Sequence, residues 1–330
     1  MRYEYTPSSS SDGKQRLVNG TVSFAGTDSD LTSSEQEKMP DAWLVPTLAG
    51  AVAVGFHLPN ERKLRLRIPR ETLAGIFLGK ILLWSELAEW NPALASVDVK
   101  ISLVVRADSS GVSEAFTDAL SLFSPEWASK VGTNPKPLWP RRDFVGEGGS
   151  GVARQILLHP YSLGYVAYTD AQTFGVAVAN ISNAAGEYVA PTLQSVQAAV
   201  DAFGDLLAAM AQGGSQIFFQ KIADPKNARD AYPIAILTYV AFDADRLPCE
   251  ILHNVLFMVY WTWTDPQVEV AANALSFAVM TRPVRRLLIT SLQSKLRCGG
   301  ASPMDNLLAQ LMVQQGCPSG MTRSWSCRLA

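Results

Sequence analysis

The sequence predicts an α/β fold, because strand-like and helix-like segments alternate along most of the chain. Short apolar runs rich in β-branched residues, such as ISLVV at 101–105, precede stretches whose apolar residues recur with the period of a helix. Of the 330 residues, 48% are hydrophobic and 18% are charged, which is enough apolar material for a sizeable core. The length allows one large domain or two ordinary ones.

The first part of the chain predicts two helices and a long buried strand. Residues 14–25 indicate a short amphipathic helix followed by a strand, and Thr32 or Ser33 is placed to cap the next helix. The run 43–58 is apolar almost throughout, as expected for a strand covered on both faces of a parallel or mixed sheet. Pro69 then marks the start of another helix.

The remaining predicted elements follow in order. They are a strand at 99–108, a helix at 109–123 with Val112, Phe116, Ala119 and Leu120 facing inward, a loop at 132–151, a helix at 152–158, a strand at 162–168, a helix at 192–212 ending at Gly213-Gly214, a strand at 232–242, helices at 247–263, 265–275 and 282–295, and a last helix at 303–315 in an otherwise weakly patterned tail.

Composition argues against several classes of function. The formal net charge of −2 does not provide the basic surface that nucleic-acid binding needs. The four cysteines form no CxxC pair and there are only three histidines, so we expect no metal site and no cofactor.

No membrane-spanning helix is predicted either, since the apolar run at 42–58 is interrupted by Pro46, Gly50 and Gly55. The opening residues lack the apolar segment of a signal peptide. Either the protein is cytosolic or its natural N-terminus lies upstream.

The segment RADSSGVSEAF, from Arg106 onward, is the first candidate site, because it joins a strand to a helix. Free backbone N–H groups and the dipole at a helix start can bind an anion, and Ser110 and Ser113 would add hydroxyl donors. Gly111 would let a ligand approach the backbone, and the guanidinium of Arg106 could contact an oxyanion with two N–H groups while Asp108 holds it in place.

The same segment is also explained by an ordinary helix cap. Ser109 or Ser110 would then cap the helix, and Arg106 would lie in solvent.

Two further segments resemble this one. SSSSDGK, from Ser8 to Lys14, is rich in donors before a helical stretch, although a disordered polar terminus explains it equally well. Asp28 follows a strand in FAGTDSDLT, where it could be a turn residue or a carboxylate that points into a cleft. Such a carboxylate would accept a hydrogen bond from a protonated oxyanion such as hydrogen phosphate and would reject deprotonated sulfate.

The order of these segments resembles the substrate-binding proteins of phosphate ABC transporters, the PstS-like family. The resemblance covers roughly residues 3–297 and is carried by VSFAGTDSDLT, VPTLAGAVAVGFHLP, ETLAGIFLGKILLW, VVRADSSGVSEAFTDAL, GVARQILLHPYSLGYVAY and YPIAILTY. It implies a two-lobed type II periplasmic-binding-protein fold in which two α/β lobes, joined by crossing strands, enclose dehydrated phosphate in a cleft.

Site residues follow from the resemblance by matching position. The implied phosphate contacts are Ser10, Asp28, Arg106, Ser110, Gly111 and Val112, with Asp108 and Ser11 in support. Val112 stands where the family has threonine, and the lost hydroxyl contact would weaken affinity up to about tenfold. The family's first strand, with a Thr-Phe phosphate contact, has no counterpart here, so we expect a truncated gene model or a domain of a longer protein.

The resemblance also yields expectations on organisation and role. Lobe one would comprise 1–50 and 232–297, lobe two 51–231, and the extension 298–330 would be weakly ordered. We expect a monomeric, extracytoplasmic phosphate binder without enzymatic activity, whose partner is an ABC permease or another membrane protein. It would serve phosphate uptake or phosphate sensing.

Two alternatives and the state of the cysteines remain open from the sequence. A phosphatase could use Asp28 or a serine as nucleophile, although no histidine lies in the candidate loops. A domain that kept the fold and lost tight binding is the other alternative. Cys249 and Cys298 could form a disulfide in an oxidising compartment or remain free thiols, and Cys317 could pair with Cys327.

Overall fold

The computed structural model describes residues 3–59, 64–212, 222–226 and 228–314, with the side chains of 205–212 and 313–314 left out. The predicted helix end at Gly213-Gly214, the residues after 314 and the pair Cys317 and Cys327 lie outside this description.

The described helices are α1 Ser10–Val18, α2 Ser33–Lys38, α3 Arg70–Phe77, α4 Gly111–Phe123, α5 Pro125–Lys130, α6 Gly148–Leu158, α7 Tyr168–Phe174, α8 Leu193–Gln212, α9 Cys249–Thr264, α10 Pro266–Ala274, α11 Arg282–Lys295 and α12 Pro303–Gln314. The described strands are β1 Ala25–Thr27, β2 Ala42–His57, β3 Arg67–Ile68, β4 Ser102–Arg106, β5 Phe144–Gly146, β6 Ser162–Ala167, β7 Ala177–Val178, β8 Asn180–Ser182, β9 Tyr188–Val189, β10 Ala235–Asp243 and β11 Ala278–Val279.

The predicted α/β class is confirmed, and the main sheet is mixed. Its strand order is β1-β10-β2-β6-β4-β5, with β7 and β11 also paired to β2. All ladders of β2 and the β1–β10 ladder are antiparallel, whereas β4 runs parallel to β5 and β6. A small second sheet has the order β3-β8-β9.

The 16-residue strand β2 joins the two halves of this sheet. Up to Ala51 it pairs with β10, and from Val52 onward it pairs with β6. Its centre is inaccessible to solvent on both faces, which explains why its sequence is apolar without alternation. Gly55 lies opposite Gly164, and a Cβ at Gly164 would be 2.6 Å from the Val104 carbonyl oxygen, so only glycine fits at this position of β6.

Three local expectations were wrong in their bounds. Helix α1 begins at Ser10, so SSSSDGK is partly helical and is not a disordered end. The loop predicted at 132–151 contains β5, and α6 begins at Gly148 instead of Val152. Its N-cap residue makes no side-chain cap bond, and the Gly148 N–H instead donates to a carboxylate 40 residues away in sequence.

The described residues beyond α11, up to 314, are anchored to the rest of the molecule. Cys249 at the start of α9 is bonded to Cys298, which resolves the choice between a disulfide and two thiols. The helix predicted at 303–315 is confirmed as α12, and it packs against α9 and α11.

Within the described residues, no helix is both long and apolar enough to cross a bilayer.

The fold is two-lobed, and β2 is the strand that pairs with both halves of the main sheet. The exact lobe boundaries stay a prediction. Helix α8, which was assigned to lobe two, packs against α11 and β11, and a Cβ at Gly204 would be 3.0 Å from Val284 Cγ2.

The disulfide generates a prediction about stability. Replacing Cys249 and Cys298 by alanine should lower the free energy of unfolding by about 2–4 kcal/mol, because the crosslink closes a loop of 49 residues in the unfolded chain. Urea unfolding of the variant and of the oxidised wild type measures the difference. A variant as stable as wild type would contradict the prediction.

Candidate functional site

The end of β4 and the start of α4 form the first part of the site. Arg106 is the last residue of β4, and Ser110 is the N-cap of α4 with extended backbone geometry. The Ser110 N–H donates to the Pro135 carbonyl at 2.9 Å, and its Oγ accepts the Val112 N–H at 3.1 Å. The cap expected from the sequence is therefore present. It leaves the hydroxyl hydrogen of Ser110 and the N–H of Gly111 at the helix start.

Arg106 is largely buried, whereas the cap interpretation alone predicts that it lies in solvent. Its side chain is only 10% exposed, and its Nε donates to Asp108 Oδ1 at 2.7 Å while Nη2 contacts Oδ2. The same Oδ1 accepts the Gly148 N–H at 3.0 Å, which ties the start of α6 to this pair. Arg106 Nη1 makes no hydrogen bond with a described residue.

The pKa of Asp108 reflects this pairing. Burial by itself raises the pKa of Asp108, but the hydrogen bonds from Arg106 and Gly148 outweigh burial and hold the pKa below its usual value. Asp108 therefore stays ionised near neutral pH and braces the arginine, as its position in the motif predicted.

The start of α1 faces the start of α4. Ser9 caps α1, and the hydroxyls of Ser11 and Ser109 lie 2.7 Å apart. A Cβ on Gly111 would lie 2.6 Å from Ser10 Oγ and 3.0 Å from Asp28 Cβ. Ser10, Asp28 and Gly111 come from three separate segments, and the structure brings them into direct contact.

Asp28 follows β1 and is surrounded by protein atoms, although part of its surface remains accessible. Its backbone N–H donates to Ser10 Oγ at 3.2 Å, and its Oδ1 accepts the hydroxyl of Thr238 at 2.8 Å. Burial raises the pKa of Asp28, and the Thr238 hydrogen bond partly offsets that effect. The surrounding protein therefore makes the Asp28 carboxyl easier to protonate, and the carboxylate can still accept a hydrogen bond from a protonated ligand.

A buried lysine fixes α1 relative to the Asp28 loop. Lys14 is 3% exposed, and its ammonium contacts the carbonyl of Asp30 and, at 3.1 Å, the carboxylate of Glu35. Glu35 also closes the capping box of α2 with Thr32, which confirms Thr32 as the cap. These contacts hold Ser10 and Asp28 in one relative position.

A cavity of about 230 Å³ adjoins Asp28. Its polar lining includes Tyr5, Ser10, Asp28, Tyr168, Thr169 and Thr238. Arg106 and Ser110 do not line it, so the predicted residues divide between this cavity and the start of α4.

Three residues at the site were not singled out in the sequence. Tyr165 joins the backbone N–H of Arg106 to the hydroxyl of Ser113, and burial raises the pKa of its phenol to about 12. Asp170 packs onto Gly149 at the start of α6; burial raises its pKa, and the charge of Arg106 counteracts this. Thr238 is the third, and its signal was a lone hydroxyl in an apolar strand.

This arrangement suits an oxyanion that carries a proton. The starts of α1 and α4 supply N–H groups, hydroxyls and positive dipole ends, and Arg106 supplies a fixed charge. Asp28 adds one acceptor, which a protonated anion can satisfy. No group of three or more acidic, histidine or cysteine side chains suited to a metal ion occurs in the described part of the chain.

The known proteins that this chain resembles include phosphate-binding proteins. A family model described as a PBP superfamily domain matches residues 1–226. The phosphate-binding protein PstS of Methanocaldococcus jannaschii is 31% identical over 73% of this chain, and the match spans 64% of that protein. The phosphate-binding protein PstS of Xylella fastidiosa strain Temecula1 is also 31% identical, over 84% of this chain and 73% of its own length.

A solved structure extends the likeness to the fold. A high-affinity periplasmic phosphate-binding protein, solved with phosphate bound, superimposes with a TM-score of 0.65 at 19% identity, covering 91% of this chain and 90% of its own.

The raised pKa of Asp28 predicts a pH-dependent cost to stability. Folding disfavours the ionised carboxyl, so the cost is absent below the ordinary pKa and reaches its full size as the pH rises through the raised one. Asp28→Asn should therefore raise the Tm of the ligand-free protein at neutral pH, and this gain should vanish in acid. Thermal unfolding across pH measures it.

The matched control is Asp201→Asn, which removes an exposed carboxyl on α8. A gain in Tm that is equal for both variants, or that persists unchanged in acid, would contradict the assignment of the cost to Asp28.

Proposed function

Because this chain belongs to the PstS-like family of phosphate-binding proteins, we propose that it binds inorganic phosphate where α1, α4 and the Asp28 loop meet. The observation that carries the proposal is the contact of Asp28 with Gly111 at the first turn of α4. It sets a proton acceptor beside the N–H donors of a helix start, a combination that suits hydrogen phosphate and disfavours sulfate.

Each donor has a role in this proposal. Nη1 of Arg106, which has no hydrogen-bond partner among the described residues, the N–H of Gly111 and the hydroxyls of Ser10 and Ser110 donate to phosphate oxygens, and Asp28 accepts the phosphate proton. Val112 contributes its N–H once the ligand replaces the Ser110 cap.

Binding requires the two helix starts to separate. With Ser10 Oγ only 2.6 Å from the Cβ position of Gly111, no phosphate oxygen fits between these residues. A hinge motion along β2, the strand that pairs with both halves of the sheet, would open this contact and close it around the ligand.

The role that follows is that of a solute-binding component of phosphate uptake, without turnover of the ligand. The Cys249–Cys298 disulfide supports an extracytoplasmic location, because such bonds persist in oxidising compartments. An ABC permease is the partner that this role implies, and a monomeric state remains a prediction.

Titration calorimetry with phosphate and sulfate tests the function directly. Arg106→Ala should weaken phosphate binding by roughly 10²–10⁴-fold, because two hydrogen bonds to a charged group are lost. The matched control is Arg154→Ala, an exposed arginine on α6 that lies against Phe174. Wild-type affinity in the Arg106 variant, with the fold intact by circular dichroism, would refute the site.

Val112→Thr should strengthen phosphate binding by up to about tenfold, because the added hydroxyl provides one neutral hydrogen bond at the first turn of α4. Val112→Ala removes both γ-methyl groups without adding a donor and should not strengthen binding. Equal affinities for the threonine and alanine variants would contradict a ligand contact at this position.

A further inference from the structure

Between Ala235 and Val240 of strand β10, Thr238 is the only residue with a polar side chain apart from Tyr239. Its hydroxyl donates to Asp28 Oδ1 at 2.8 Å across 210 residues of sequence. A hydroxyl in an apolar strand has to find a partner when the strand is buried, and here the partner is the carboxylate of the proposed site.

The strand register brings the two residues together. In the antiparallel β1–β10 ladder Thr27 is paired with Tyr239. Because the strands run in opposite directions, the residue after Thr27 and the residue before Tyr239 come next to each other, and these are Asp28 and Thr238. The position of Thr238 is fixed from its other side as well. The β2–β10 ladder has a bulge between Thr238 and Tyr239, and the Thr47 hydroxyl of β2 donates to the Thr238 carbonyl at 2.9 Å.

The hydrogen bond has two consequences for Asp28. It occupies Oδ1, which leaves Oδ2 to face a ligand, and it stabilises the ionised carboxylate against the effect of burial. The other titratable groups that border Asp28 are Glu114 and Asp118 of α4, Tyr239 of β10, and Tyr5 and Tyr168 across the cavity. Burial opposes ionisation of Asp28, and the Thr238 donor acts in the opposite sense.

We propose that Thr238 is a positioning residue for anion specificity: its hydroxyl keeps Asp28 in the ionised form that accepts the proton of hydrogen phosphate and excludes sulfate. This inference rests on the proposed function. A protonated Asp28 would donate a hydrogen bond, and a hydrogen-bond donor at this position would favour the binding of a fully deprotonated oxyanion such as sulfate. Loss of the Thr238 hydroxyl should therefore relax specificity in acid, whereas a purely structural role would not.

The test compares Thr238→Val, which keeps the shape and removes the hydroxyl, with Thr238→Ser, which keeps the hydroxyl. Phosphate and sulfate affinities are measured by titration calorimetry from about pH 4, near the ordinary pKa of an aspartate carboxyl, to about pH 8. In the valine variant we expect sulfate to bind about tenfold tighter than in wild type at the acid end, and phosphate affinity to be close to wild type at the alkaline end. The serine variant should follow wild type at every pH.

Asp28→Asn provides the reference for a permanent donor, and it should bind sulfate with little dependence on pH. If Thr238→Val fails to fold, Thr238→Ala and a carbon-13 NMR titration of the Asp28 carboxyl in the ligand-free protein give the same comparison. A valine or alanine variant with the wild-type sulfate affinity and the wild-type Asp28 titration overturns the role of Thr238. Absence of phosphate binding by wild type would instead overturn the proposed function.

Discussion

The starts of α1 and α4 approach each other so closely at Gly111 that this contact fixes the geometry of the whole candidate site. Only a hydrogen atom fits on the Cα of Gly111, because Ser10 and Asp28 occupy the space of a side chain. Two helix starts then face each other with positive dipole ends, an arrangement that is unfavourable without nearby negative charge. Asp28 supplies charge between them, and Asp108 and Asp170 supply it beside Arg106 and the start of α6. A bound anion would supply more.

The same constraint links stability to function. An enclosed carboxyl with a raised pKa lowers the stability of the fold, and an apolar or amide side chain in its place would not. Proteins keep such carboxyls mainly at sites where their chemistry is needed. Thr238 limits that cost through one hydrogen bond, and Lys14 holds the surrounding loop in place. The polar groups of the site are thus supported by residues that need not touch a ligand.

The fold brings the polar groups of the site together from segments that are far apart in the chain. β2 exchanges one neighbour for another near Ala51, so the strand that leads to Asp28 and the strand that leads to Arg106 belong to one sheet. The antiparallel register of β1 and β10 places Thr238 beside Asp28, and the parallel register of β4 and β6 places Tyr165 beneath the end of β4.

Features that arise from neighbouring residues could be predicted from the sequence. The apolar run of β2 and the pairing of Arg106 with Asp108 two residues later are local, so pattern and spacing predicted them. The two caps are local as well, and the sequence narrowed each to two adjacent residues, of which the structure selects Thr32 and Ser110. Contacts between distant segments depend on the tertiary structure. These include the start of α6 at Gly148, where Asp108 replaces a local cap, the formation of the Cys249–Cys298 disulfide in place of two thiols, and the hydrogen bond of Thr238 to Asp28. Strand register and helix packing bring such groups together, and neither is encoded in a short stretch of sequence.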